Sequence, residues 1–142
     1  MPIRLSEDRA LPDRRRAGTL AHMSSRGTHA SKFLATSAMP WRPFDEAPGV
    51  SFKVLKTHPP GNGVTLMLRF EPDSSYPAHR HPGGEEYYVI SGELIDGASR
   101  YGEGTYVWHP PGSAHAPRSE TGATVLIFVP EGIEVLGDAD QP

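Results

Sequence analysis

His79 and His81 stand two residues apart in Pro77-Ala78-His79-Arg80-His81-Pro82-Gly83-Gly84-Glu85-Glu86. On an extended strand that spacing turns two side chains to one face, with Cα atoms roughly 6 to 7 Å apart. Both imidazoles can then converge on one small object, and a metal ion is the obvious candidate. Glu85 follows four residues after His81, past a Pro-Gly-Gly turn that can return a carboxylate to the rings. His115, at the end of Pro110-Pro111-Gly112-Ser113-Ala114-His115, completes a set of three nitrogens and one oxygen. Such a set suits one divalent first-row metal ion per chain, with iron, manganese and zinc the candidates. An octahedral ion held by all four residues keeps two open positions, enough for a bidentate substrate. A tetrahedral zinc would be closed, as in a structural or sensing site.

The other histidines are weaker candidates, because a lone histidine is usually an ordinary surface or core residue. His22, His29 and His58 lack a second ligand-type neighbour at useful spacing, and His109, just before Pro110, can face either way. Arg80 lies between the two paired histidines and should point to the opposite face. Glu86 alternates away from Glu85, although a one-residue shift of the turn would exchange the two. Glu86, Tyr87, Tyr88, Tyr106, Trp108 and Arg80 are near the ligands in sequence and are candidates for lining a cavity. Packing in the barrel is the plainer role for the aromatics. No residue is assigned a catalytic role.

The elements that must hold these residues read as strands and turns. Val64, Leu66, Leu68 and Phe70 alternate along Val64 to Phe70, the clearest half-buried strand pattern in the chain. Ser51 to Thr57, Glu86 to Ser91, Glu93 to Ile95, Thr105 to Trp108 and Val125 to Val129 supply further strands. The last is nearly all apolar and so is expected at the centre of a sheet. Gly92 should end the Glu86 to Ser91 strand with a backbone angle that other residues resist. An arm of Trp41-Arg42-Pro43-Phe44 and Pro48-Gly49-Val50 is expected to cover the end of the core with its aromatics. Short strands without a convincing helix argue for a closed β-barrel, which removes exposed edges.

The chain has 142 residues, 37% of them hydrophobic, enough for one core but not two. Its 15 glycines and 15 prolines suit tight turns between strands. With no cysteine, disulfides and thiolate zinc sites are excluded, which fits a reducing, cytoplasmic setting. A net charge of -3 is too mild to suggest nucleic acid, and no apolar run approaches the roughly 18 residues of a membrane span. Residues 1–32 carry seven Lys or Arg against three acidic residues, or +4, which leaves -7 on the remainder. Their polar, Arg-rich composition predicts a disordered basic leader over 1–35, with the domain at 36–137 and a frayed tail at 138–142. Met23 is an alternative start, and the leader lacks the apolar segment of a secretory signal.

The motifs resemble the cupin signature. His79, His81, Glu85 and Gly92 fall on its first motif, and this spacing to Gly92 favours Glu85 over Glu86. Gly104, Pro110, Gly112 and His115 fall on the second, with Ser119 where Asn is usual. The wording His-x-His-Pro-Gly-Gly-Glu-Glu and His-Pro-Pro-Gly-Ser-Ala-His-Ala-Pro-Arg-Ser is similar to ChrR-type cupins over about residues 38 to 136. These include the C-terminal domain of ChrR anti-sigma factors and stand-alone enzymes similar to acetylacetone and dihydroxyacetophenone dioxygenases. The resemblance implies an all-β, single-domain cupin barrel (double-stranded β-helix, jelly roll), a homodimer, and a metal at His79, His81, Glu85 and His115. ChrR cupin domains hold zinc at three His and one Glu, whereas acetylacetone dioxygenase holds iron with three histidines and no glutamate.

Three expectations follow. The first is an oxygenase-like enzyme acting on a small chelating diketone or hydroxyketone. The second is a non-catalytic zinc sensor or small-ligand binding module; a metal that merely staples the barrel is a third, structural possibility. Direct binding to a sigma factor is not expected, because ChrR proteins use a separate helical domain with a Cys-containing zinc site. This chain has no cysteine, and its leader is too short and polar to form that domain.

Overall fold

The computed structural model describes residues 30–137, so most of the predicted leader and the tail at 138–142 lie outside the described residues. Residues 30–35 are exposed and belong to no regular element, and among the described residues a 3-10 turn at Thr36–Ala38 precedes the strands. The strands are β1 (Arg42–Phe44), β2 (Ala47–His58), β3 (Gly63–Phe70), β4 (Ser74–Ser75), β5 (His79–His81), β6 (Glu85–Asp96) and β7 (Ser99–Gly102). They continue as β8 (Tyr106–His109), β9 (Ser113–His115), β10 (Arg118–Ser119), β11 (Ala123–Val129) and β12 (Glu134–Val135). Among the described residues no helix is long and apolar enough to cross a membrane.

A nine-stranded antiparallel sheet runs β1-β2-β3-β11-β6-β10-β4, with β7 and β8 also paired to β6, and a smaller sheet runs β12-β5-β9. The large sheet curls round an apolar core that includes Val50, Phe70, Tyr87, Val89, Leu94, Val125 and Ile127. Val64, Leu66, Leu68 and Phe70 pack on that core from β3, as their alternation predicts. Strand β11 is central in order, between β3 and β6, but it is not buried on both faces. Leu126 points outward and is 38% exposed. The same outer face carries exposed Tyr88, Ile90, Tyr106 and Trp108.

The predicted arm is divided. Pro48, Gly49 and Val50 belong to β2, and β1 pairs with that strand along Arg42↔Phe52 and Pro43↔Ser51. Phe44 covers the end of the core, its ring centroid 4.4 Å from Phe52 and 5.1 Å from Tyr76. Trp41 does not. Its ring lies 4.4 Å from Lys53 Nζ and 4.6 Å from the Arg69 guanidinium carbon, a cation–π arrangement on the outer side.

Gly92 has the predicted left-handed backbone (φ 74°) but does not end its strand, because β6 continues to Asp96. A bulge just before it explains the difference. Thr124 pairs with Ser91 and Val125 pairs with Val89, so Ile90 is an extra residue in the ladder. A straight run of 12 residues would separate its ends by about 37 Å. Here the bulge and Gly92 bend β6, so it pairs with β11 and β8 along its first half and with β7 and β10 along its second.

Candidate metal centre

Three of the four predicted ligands come from the small sheet. His79 lies directly opposite His115 in the β5–β9 ladder, and His81 lies two residues along β5 on the same face. Strand alternation and this register together turn all three rings into the barrel, and they are 4%, 1% and 6% exposed in the order His79, His81, His115. Glu85, 5% exposed, opens β6 and faces them from the large sheet. Gly84 permits that approach, since its φ is 81° and a Cβ there would lie 2.7 Å from the His109 carbonyl oxygen.

The ligand atoms of His79, His81, Glu85 and His115 all lie within 4.8 Å of one another. His115 Nε2 is 3.0 Å from His81 Nε2 and 3.1 Å from His79 Nε2. Glu85 Oε2 is 3.5 Å from the Nε2 atoms of both His81 and His115, and it has no hydrogen-bond partner. Two of the rings have their protons committed elsewhere. His79 Nδ1–H donates to the Pro77 carbonyl at 2.7 Å, and His115 Nδ1–H donates to Asp96 Oδ2 at 2.9 Å. Their Nε2 lone pairs therefore face one another beside a buried carboxylate, an arrangement that is repulsive until a cation joins it. The donor set thus fits a divalent metal.

Titration behaviour points the same way. Burial depresses His79 to about 4, helped by the nearby His115, and depresses His81 to about 3, helped by His79. Burial raises the Glu85 carboxyl to about 7. In metal-free protein the stability associated with the two rings is fully present above their ordinary 6.5 and is lost as pH falls through about 4 and 3. Glu85 acts in the opposite sense. Its contribution is fully present below the ordinary 4.5 and is lost as pH rises through about 7, because the folded site holds the proton that the unfolded chain has released. Metal-free Glu85→Gln is therefore expected to be more stable than metal-free wild type by roughly 1 to 3 kcal/mol at pH 8, with no gain at pH 4. Urea unfolding with chelator present measures this, and equal midpoints at pH 8 would refute it.

The residues flanking the ligands divide by strand parity. Arg80 points outward, 4.0 Å from Glu134, and Glu86 points outward to accept a hydrogen bond from the Tyr106 hydroxyl at 3.1 Å. Tyr88, Tyr106 and Trp108 are exposed, so among the candidates for lining the interior only Tyr87 faces it, at 2% exposure. Arg80→Ala is expected to leave metal affinity within about twofold of wild type and stability within about 0.5 kcal/mol. Metal titration and thermal melting of the variant check this. A tenfold loss of affinity would mean that Arg80 acts on the site.

His109 is resolved by its register. It lies opposite Glu85 in the β6–β8 ladder and so faces inward, its ring 4.7 Å from His115. Asp96 was not expected here. Alternation counted from Glu85 puts residue 96 on the outer face, and the extra residue at Ile90 reverses the parity. A bulge signal before Gly92 could have suggested it. Burial works to raise the Asp96 carboxyl, but the hydrogen bond from His115 and the neighbouring rings hold it below its ordinary value. Ser119, where the motif usually has Asn, is 1% exposed and donates to the Glu93 carbonyl at 2.6 Å, tying β10 to the bent part of β6.

Residues 29–133 match the ChrR Cupin-like domain family. The chain belongs to that family. Among solved structures, the ChrR-type cupin is similar to an acetylacetone dioxygenase from Acinetobacter johnsonii, with a TM-score of 0.73 and 17% identity over 86% of this chain and 88% of that one. It is also similar to the anti-sigma factor ChrR in complex with SigE from Rhodobacter sphaeroides, with a TM-score of 0.57 and 24% identity over 66% of this chain and 49% of that one. Identities this low establish the shared fold. A curated relative, dimethylsulfoniopropionate lyase DddQ of Ruegeria pomeroyi (strain ATCC 700808 / DSM 15171 / DSS-3), is 43% identical over 49 residues, 31% of this chain. The matched part spans about a quarter of that lyase (24%).

Proposed function

We propose that this ChrR-type cupin is a mononuclear metal enzyme acting by oxygenase-like chemistry on a small substrate that chelates through two oxygens, such as a diketone or hydroxyketone. The spacing of the ring nitrogens carries this reading. With metal–nitrogen bonds of about 2.1 Å, adjacent ligands are about 3.0 Å apart in an octahedron and about 3.4 Å apart in a tetrahedron. The ring-nitrogen separations of 3.0 and 3.1 Å match the octahedral spacing, with Glu85 Oε2 farther off at 3.5 Å from two of those nitrogens, and an octahedral ion held by the four residues would leave two positions for substrate. When bound, iron or manganese supplies Lewis-acid polarisation of a carbonyl or enolate oxygen.

The chain supplies the rest. Glu85 provides a buried carboxyl that would give up its proton when a metal binds, and Val89, Leu94 and Val107 give the interior an apolar wall. The Tyr87 hydroxyl, buried on the face that Glu85 shares, has no hydrogen-bond partner among the described residues. Burial raises its pKa far above the ordinary value, so it remains a proton donor suited to orienting a substrate oxygen.

The short but closer match to the lyase favours a second reading, elimination from a small charged substrate. One set of assays separates these from zinc sensing. Protein purified without chelator is analysed for metal and then supplied with acetylacetone, a hydroxyacetophenone or dimethylsulfoniopropionate. Iron or manganese with dioxygen uptake supports the oxygenase, and release of dimethyl sulfide supports the lyase. Tightly held four-coordinate zinc, with no turnover on any metal, would overturn both and leave the sensor.

A further inference from the structure

We infer that Asp96 is a positioning residue that fixes the tautomer and orientation of His115, so that its Nε2 is presented to the metal as a strong donor. This rests on the proposed metal reading and extends it to a residue outside the ligand set. The three rings are anchored differently at the nitrogen remote from the centre. His79 Nδ1 meets a backbone carbonyl, His81 Nδ1 meets no partner, and His115 Nδ1 alone meets a carboxylate.

Asp96 is well placed for this work. Its side chain is 15% exposed, and Oδ2 lies 2.9 Å from His115 Nδ1 and 3.6 Å from His109 Nε2. His109 Nε2 is itself buried without a hydrogen-bond partner, and its ring packs on His115 at 4.7 Å with planes 64° apart. The His115 ring is therefore held on one side by His109, on another by His79 at 4.6 Å, and at Nδ1 by Asp96. An anionic acceptor at Nδ1 excludes the tautomer with hydrogen on Nε2 and leaves the Nε2 lone pair free to face the metal. Outer partners of this kind typically contribute 10- to 100-fold in metal affinity.

The inference is tested on the full chain with Asp96→Asn and Asp96→Ala. Manganese(II) and zinc(II) affinities are measured by competition with a chromogenic chelator, and the His115 tautomer is read by nitrogen NMR in metal-free protein. Asp96→Asn keeps an acceptor but loses the charge, so it should retain the tautomer and bind metal about tenfold more weakly. Asp96→Ala should show mixed tautomers at His115 and a loss approaching 100-fold, with the metal-free melting temperature of Asp96→Asn close to wild type. Affinities within twofold of wild type in both variants, or a single Nδ1–H tautomer in Asp96→Ala, would overturn the inference. If wild type binds neither metal, the metal reading fails, and the tautomer measurement still decides whether Asp96 orients His115.

Discussion

His81→Ala is expected to lower metal affinity by more than about 100-fold while leaving the barrel folded. The loss should exceed that from an outer partner, because His81 Nε2 lies at the centre itself, 3.0 Å from His115 Nε2 and 3.5 Å from Glu85 Oε2. The fold should survive because the main core, including Val50, Phe70, Val89, Leu94 and Val125, is built by the large sheet. Truncating a 1% exposed ring leaves a cavity costing about 2 to 3 kcal/mol, partly offset by removing the unpaired Nδ1. Metal content per chain and the melting temperature of the metal-free variant measure the two effects. Retention of one ion at wild-type affinity would remove His81 from the ligand set. A metal-free variant that is unfolded at 25 °C would make the cluster a structural staple.

Gly92→Ala should destabilise the protein by about 3 kcal/mol or more and weaken metal binding with it. At φ 74° a side chain is strained, and a Cβ would collide with the Gly122 carbonyl oxygen and lie 2.9 Å from the Ala123 Cα. Both obstacles are backbone of the neighbouring segment, so no rotamer change relieves them. The same bend lets the two ends of β6 reach one imidazole: Glu85 lies beside Nε2 of His115 and Asp96 beside Nδ1. Gly97→Ala is the control. Gly97 also has positive φ (56°) but nothing within 4 Å of the added carbon, so its cost should be about 1 kcal/mol. Urea midpoints compare the two. A Gly92→Ala cost no greater than that of Gly97→Ala would mean that the strand accommodates the clash by shifting.

How much was legible in the sequence depended on the range over which each residue's position is set. The His-x-His pair could be read because alternation along a strand is local, and His79 and His81 do share a face. The return of a carboxylate could be read from Pro82-Gly83-Gly84, since the turn lies in the same short segment, and the spacing to Gly92 selected Glu85 over Glu86. Tyr88, Tyr106 and Trp108 could not be sorted from Tyr87, because an aromatic side chain suits either face of a curled sheet. Trp41 was misplaced for a related reason. Its partners Lys53 and Arg69 lie on separate strands, and only their pairing with the arm puts two cations against one ring.

The sequence by itself determined the strand-rich class, the four residues able to form a metal centre, and the glycine that must take a left-handed conformation. The strand class, the shared face of His79 and His81 and the glycine follow from side-chain chemistry, a two-residue period and backbone sterics, which act over a few residues, whereas the choice of Glu85 over Glu86 and the inclusion of His115 rest on the spacing of the paired motifs. Tertiary structure alone decided that His115 stands opposite His79, that His109 faces inward across from Glu85, and that Asp96 reaches the far side of His115. Cross-strand register and one extra residue in a ladder set those placements. A single bulge at Ile90 reverses the face of every later residue on β6, so local alternation counted from Glu85 could not place Asp96.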